Sequence, residues 1–410
     1  MTTKTPTLDA PLELPGGARL PNRIAKSAMS EQLGDRRNAP TDDLVRLYER
    51  WGSGGAGLLV TGNVMVDRHH LGEPRNVVVD DERDLARLSA WARAGRRHGS
   101  RVWVQVNHPG RQALIVAGRT RPVAPSAIAP AIPGYVRPRE LTSGEIEGIV
   151  ERFARTARIV RDAGFDGVQV HGAHGYLVSQ FLSPSANRRD DAWGGDAERR
   201  RRFVLEVVRA VRAAVGPDFP VGIKLNSADF QKGGFTAEES AAVLEALAAE
   251  GLDLLEISGG TYEAPAMVGA VRESTARREA YFLEYAETVR DRVGGVPLMV
   301  TGGFRGASAM RDAIADGACD VVGIARPLAV DPDGARRVLE DPTARLPSPE
   351  PSLGPRVPRT LTSAIALGWH TRQLQRIGAG RDPRPDEPAW RTAVGMLTAN
   401  GWDAFRRRRA

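Results

Sequence analysis

Residues 297–327 read PLMVTGGFRGASAMRDAIADGACDVVGIARP. An apolar run (PLMVTGG, 297–303) passes through glycines into an amphipathic stretch over 306–316. Gly317 then separates that stretch from a second apolar run, DVVGIAR (320–326). Strand, helix and strand in about thirty residues make a βαβ unit, whose two strands run parallel.

The same alternation extends over residues 22 to about 340. The other apolar runs are RIAKSAM (23–29), GLLVTGNVMV (57–66), RVWVQV (101–106), DGVQVH (166–171), VGIKLN (221–226) and LDLLEIS (252–258), eight runs with the two above. Most are near-continuous in Val, Ile and Leu, the pattern of parallel strands buried on both faces. Helical patterns lie between them at 42–53, 82–98, 143–163, 196–215, 236–250, 277–292, 306–316 and 332–340. Thr41 precedes two aspartates, and Thr142 and Thr236 each stand three residues before a glutamate, as in a capping box. Eight strict strand–helix pairs mean a closed barrel or a doubly wound sheet. The count of eight, with polar residues gathered at the strand ends, favours the (β/α)8 TIM barrel, and 410 residues accommodate one with insertions.

Three parts fall outside the alternation. Residues 8–20 (LDAPLELPGGARL) read as a hairpin closing the N-terminal mouth of the barrel. Residues 107–141 form a Pro-rich loop without periodicity, expected to cover the substrate because long ordered loops are usually functional. A Pro-rich linker opens the segment 343–410, with helical patterns at 361–377 and 388–406. The expected division is therefore a barrel over 1–342 and a helical extension over 343–410, packed on the barrel or on a second subunit. A homo-oligomer stays open.

Composition narrows the function classes. The net charge of +7 comes largely from arginines dispersed among acids, with one cluster at Arg406–Arg409. That pattern indicates a solvated surface and no nucleic-acid partner. A single cysteine, Cys319, permits neither an internal disulfide nor a cysteine-ligated iron–sulfur cluster. The N-terminal MTTKTPTLDAPLELPGG lacks an apolar core, and no run is long enough to span a bilayer. A soluble, cytoplasmic protein is expected, with a small-molecule substrate and no membrane partner.

Barrels of this kind carry their chemistry at the C-terminal ends of the strands. Those ends supply Lys26 to Ser30, Gly62, Gln105, His108, His171, His174, Lys224, Ser258, Gly302, Gly303, Ala325 and Arg326. No carboxylate pair, cysteine nucleophile or Ser-His-Asp order stands there. The glycines after the seventh run let backbone N–H groups approach a phosphate, and Arg326 offers a guanidinium fork. Ordinary turn glycines and a surface arginine would read the same way. His171 and His174, three apart, can reach one small oxygen-bearing group, and Tyr176 adds a phenolic proton. On the residues alone, a metal-dependent hydrolase or lyase using His171 and His174 remains an alternative, though no third ligand is evident and no metal is expected. So does a Schiff-base aldolase on Lys224.

Six segments together resemble the Old Yellow Enzyme family of NADH:flavin oxidoreductases: LPNRIAKSAM (20–29), GGAGLLVTG (54–62), VWVQVNHPGR (102–111), HGAHGYLVSQFLSPSANRRDDAWGG (171–195), GIKLNSADF (222–230) and TGGF with GIARP (301–327). The resemblance covers about residues 8–335. It implies a barrel holding FMN over its C-terminal mouth, with NADH or NADPH as electron donor. Ser27, Ala28, Met29 and Ser30 would line the flavin ring, Gly62 would pack beside it, and Gln105 would bind its pyrimidine end. Lys224 would face N1 and O2, and Gly302, Gly303, Ala325 and Arg326 would take the phosphate. The implied reaction is an ene-reduction. Hydride passes from flavin N5 to an alkene conjugated to a carbonyl or nitro group, whose oxygen His171 and His174 bind while Tyr176 donates the proton. Ser30 stands where some relatives carry a cysteine, and Lys224 where an arginine is common.

Overall fold

The computed structural model describes residues 5–395 apart from 119, 133, 262, 264–281, 355, 356 and 358. Eight parallel strands carry the fold: β1 (Ile24–Lys26), β2 (Leu58–Val60), β3 (Arg101–Asn107), β4 (Gly167–Gly172), β5 (Val221–Asn226), β6 (Leu254–Ser258), β7 (Leu298–Thr301) and β8 (Val321–Ile324). Each pairs with its chain neighbours, and β8 pairs with β1, so the sheet closes on itself as a (β/α)8 barrel. The long run at 57–66 divides: after β2, Val64–Met65 leaves the ring and pairs in parallel with the end of β3.

Side chains along a strand alternate between lumen and helices, and the lumen is filled in layers. Its lower layer holds Ala25, Leu58, Val60, Trp103, Leu254, Met299 and Val321 in one buried cluster with Leu14 and Leu20 of the N-terminal hairpin. That hairpin pairs Leu12–Glu13 with Arg19–Leu20, so it plugs the mouth that the sequence assigns to it. Trp103 is the largest side chain in the layer, and glycines on the next two strands make room for it. A Cβ at Gly167 would lie 2.5 Å from Trp103 Nε1, and one at Gly222 would lie 2.8 Å from Trp103 Cζ3.

Around the barrel lie α1 (Asp42–Gly52), α2 (Leu85–Arg96), α3 (Ser143–Asp162), α4 (Ala197–Val215), α5 (Ala237–Ala248), α6 (Leu283–Val289), α7 (Ala307–Ala315) and α8 (Gly334–Glu340). Thr41 caps α1 through its side chain, and Thr142 with Glu145 and Thr236 with Glu239 form complete capping boxes on α3 and α5. Each such cap satisfies backbone N–H groups that the first helical turn leaves unpaired, typically contributing about 1 kcal/mol. On α3 the buried residues Ile146, Ile149, Phe153, Ala157 and Val160 recur at helical spacing, so one stripe faces the strands. Part of the expected helix 277–292, residues 277–281, lies outside the described residues, as does the tail Arg406–Arg409.

The C-terminal segment returns to the barrel. Helix α9 (Arg359–Gly378) packs on its own chain, burying Ile365, Trp369, Leu374 and Ile377. Arg46 of α1 donates to the Gly378 carbonyl at 2.8 Å, closing the far end of that contact. Among the described residues no helix is long and apolar enough to cross a membrane.

Candidate active site

At the C-terminal ends of the strands lies a cleft of about 1260 Å³. Ala28, Met29, Ser30, Gln105, Lys224, Gly302, Gly303, Ala325 and Arg326 line it, together with His171, His174 and Tyr176. These residues come from six of the eight strand ends, so the barrel's closure gathers groups spread over three hundred positions of sequence.

Two expected residues stand elsewhere. Ser27 is buried beneath the cleft, its hydroxyl 2.7 Å from Thr301 Oγ1. Gly62 is glycine for a reason the chain itself supplies: its N–H donates to Glu31 Oε1 at 2.9 Å, and a Cβ there would meet the Met29 carbonyl oxygen at 2.2 Å. The Pro-rich loop also differs from expectation. None of the described cleft lining comes from 107–141. Gln112 of that loop donates its amide to the carbonyls of His174 and Gly175 at 3.0 and 2.9 Å, so the loop holds the histidine turn from behind.

Beneath the cleft is a polar layer. Lys224 Nζ lies 2.8 Å from Glu256 Oε1 with both side chains buried, and the strand register sets the two side by side. Glu256 also accepts from Thr301 Oγ1 at 2.6 Å and from Gln169 Nε2 at 2.7 Å. A carboxylate only accepts, so Gln169 must present its amide to Glu256 and its oxygen to the other side. Gln105 Nε2 donates to that oxygen at 2.8 Å. The chain of bonds therefore fixes the Gln105 amide group and leaves its oxygen for the cleft. Neither Glu256 nor Gln169 was singled out from sequence. A signal was present, since a charged residue inside the apolar run LDLLEIS requires a buried partner, and Lys224 occupies the matching place on the preceding strand.

His171 is the penultimate residue of β4, and His174 follows in the left-handed region at φ 61°, a conformation uncommon outside glycine that concentrates at functional turns. Its N–H donates to Asn226 Oδ1 at 3.2 Å, and its Nε2 lies 3.0 Å from Ser258 Oγ. The two imidazoles meet edge to face with centroids 5.2 Å apart, and Tyr176 stands 4.8 Å from His171. Burial, then the neighbouring His174 and Lys224 charges, push His171 well below the ordinary histidine range, and burial with Lys224 does the same to His174. Both rings are neutral at pH 7. The Ala173 N–H donates to His171 Nδ1 at 3.3 Å, so the proton of that ring sits on Nε2. Asn63 Nδ2 donates to the Tyr176 hydroxyl oxygen at 3.3 Å.

After β7, around the barrel from β4, Gly302 and Gly303 adopt φ 133° and 95°, values that a side chain would strain. Arg326 and Arg305 stand beside them. Ser30 donates to Glu73, a cleft residue whose carboxyl is raised above the usual range by burial. The described side chains that approach metal-ligand spacing are Asp67, His70 and His108, not the His171–His174 pair. In that trio His70 Nδ1 is 3.1 Å from Asp67, and His108 Nδ1 accepts from the Gly110 N–H at 3.1 Å.

A cleft lined by two neutral imidazoles, by a buried lysine on the strand beside them and, across the barrel, by glycines and arginines suits a long planar cofactor that terminates in a phosphate. Residues 8–343 match the NADH:flavin oxidoreductase / NADH oxidase family, the Old Yellow Enzyme family, and the chain belongs to it. It is accordingly an NAD(P)H-dependent flavin oxidoreductase with FMN as its cofactor. The NADH-dependent flavin oxidoreductase iliE of Hypocrea jecorina is 39% identical over 369 residues, 83% of this chain and 92% of that protein. The corresponding iccE protein of Talaromyces variabilis is 39% identical over 80% of this chain and 84% of its own length. Among solved structures, morphinone reductase superposes with a TM-score of 0.70 at 27% identity, covering 85% of this chain and 93% of that one. A 2-naphthoyl-CoA reductase gives a TM-score of 0.78 at 26% identity over 83% of this chain, which spans 53% of that larger protein.

Proposed function

We propose that the chain reduces a carbon–carbon double bond conjugated to a carbonyl or nitro group. The observation that carries this reading is the pair of buried, neutral imidazoles beside a phenol, facing the cleft that Lys224 and Arg326 also line. FMN held there supplies hydride transfer between a reduced nicotinamide and the substrate.

The chain's own residues would divide the work. Gly302, Gly303, the Ala325 backbone and Arg326 would hold the phosphate. The Gln105 oxygen, oriented by the Gln169–Glu256 relay, would accept from a pyrimidine N–H. Lys224 would place positive charge beside the end of the ring where negative charge collects on reduction. Glu256 offsets part of that charge and keeps the ammonium in place. Ala28, Met29 and Ser30 would pack against the ring. His171 would donate from Nε2 to the substrate oxygen. A Ser258 hydroxyl donating to His174 Nε2 would leave Nδ1–H as the second donor. Two neutral donors suit an oxygen that gains charge only as the reaction proceeds. Tyr176, oriented by Asn63, would give its proton to the α-carbon as hydride reaches the β-carbon, and water would restore the phenol. Overall NAD(P)H loses two electrons and the double bond gains them with one hydrogen at each carbon. A solved complex of morphinone reductase with tetrahydroNAD, 28% identical with a TM-score of 0.68, supports a nicotinamide occupying the same fold.

The test is anaerobic. The purified yellow protein should bleach with NADH or NADPH and recover its colour with one equivalent of a conjugated enone or nitroalkene. Tyr176→Phe should slow the recovery and leave the bleaching intact. Recovery with oxygen alone, and with no conjugated alkene, would overturn the alkene reading.

A further inference from the structure

Helix α9 lies outside residues 8–343 that match the family, yet it walls the cleft. Leu367, His370, Thr371 and Leu374 share one helical face and line the cleft beside Arg326 and Pro327. The helix is fixed there by its own chain. Thr371 Oγ1 donates to the Ser30 carbonyl at 3.1 Å, and Trp369 Nε1 donates to the Glu387 carbonyl at 2.8 Å.

On that face one ring nitrogen of His370 is unused. The residue is 5% exposed, its Nδ1 lies 2.7 Å from the Ala366 carbonyl, and its Nε2 has no hydrogen-bond partner. Because a carbonyl only accepts, Nδ1 carries the proton and Nε2 bears a buried lone pair. Among the described residues, the charged groups that act on the ring are Arg326 and Arg305. Leaving a buried polar atom unsatisfied is costly; once protonated, Nε2 becomes a donor, and an anion beside the two guanidinium groups can then accept from all three.

We propose that α9 is part of the flavin site and that His370 is a ligand of the FMN phosphate, protonated at Nε2 as the phosphate binds. The proposal rests on the reading of this cleft as the FMN site. Without the anion, burial holds the imidazole down at about 4. A phosphate monoester carries about −1.5 to −2 charge at pH 7 and would raise the ring's proton affinity, so binding takes up a proton at His370. The resulting contact is a charge-assisted hydrogen bond. Its contribution to affinity is present at low pH and fades as pH rises through the raised, bound-state value.

Titrating FMN and riboflavin into the deflavinated full-length protein separates phosphate from ring. Against wild type, His370→Ala and the polar His370→Gln should each weaken FMN about ten- to a hundredfold and change riboflavin less than twofold. Calorimetry in buffers of different ionisation enthalpy should show wild type taking up more protons on binding FMN than either variant. Unchanged FMN affinity, equal losses for FMN and riboflavin, or identical proton uptake would overturn the role of His370. Wild type that binds neither flavin would instead overturn the FMN reading itself.

Discussion

The lower and upper layers of this barrel are built on the same strands, two residues apart, and they solve opposite problems. Below, Trp103, Leu254 and Met299 fill the lumen with apolar volume. Above, on the same strands, stand Gln105, Glu256 and Thr301, joined to Lys224 and Gln169 by buried hydrogen bonds. The lower layer gains from burial alone and tolerates conservative changes in shape. The upper layer is stable only while every partner is present, because an orphaned buried charge costs far more than a lost apolar contact. What the protein spends on that layer is a set of fixed dipoles aimed into the cleft.

The largest effect expected from this contrast comes from removing one half of the buried pair. Glu256→Ala should lose about 3–5 kcal/mol of stability, read as a lower denaturation midpoint, along with flavin retention. Replacing both partners, as in Lys224→Met with Glu256→Leu, should restore much of the stability and none of the flavin reduction. If the double variant is as unstable as the single one, the layer is held by packing rather than by charge. Next in size, His171→Ala should slow alkene-dependent reoxidation about a hundredfold, the usual cost of one transition-state donor, with denaturation nearly unchanged. In the lower layer Gly167→Ala drives a methyl group against the Trp103 indole. It should cost about 1–3 kcal/mol in thermal or denaturant unfolding and leave the flavin spectrum alone.

The smallest expected effect is a flat one. Both active-site imidazoles are held well below their ordinary value of 6.5. A lowered histidine keeps its neutral form as pH falls through 6.5 and gains charge only near the depressed value. The rate of alkene-dependent reoxidation should therefore show no step between pH 8 and 6. A loss of rate centred near 6.5 would mean that at least one ring titrates as if exposed.

The two layers also differ in how far sequence reveals them. The apolar runs give the strands, the count of eight gives the barrel, and Thr142 and Thr236 give their helix starts to the residue. Strand ends locate Lys224, His171, His174 and Arg326, because a polar residue closing a buried run must point somewhere useful. Relations between strands are harder to read. That Glu256 lies against Lys224, or that Gln169 bridges Gln105 to Glu256, depends on register, which no single run encodes. Gly62 shows the reverse difficulty: its close neighbours are Glu31 and Met29, so a glycine at the expected spot served the chain's own packing. The part played by α9 was out of reach for another reason. Its periodicity marks a helix, but only the fold brings His370 beside Arg326.

The claim that the histidine pair and the cationic end address one flavin is tested most directly by titrating the oxidised yellow protein with a phenol. The account requires a long-wavelength charge-transfer band that saturates in wild type and weakens about a hundredfold in affinity for His174→Ala, with FMN still bound. A flavin-loaded protein that gives no such band, or one whose band is indifferent to both histidines, would contradict it.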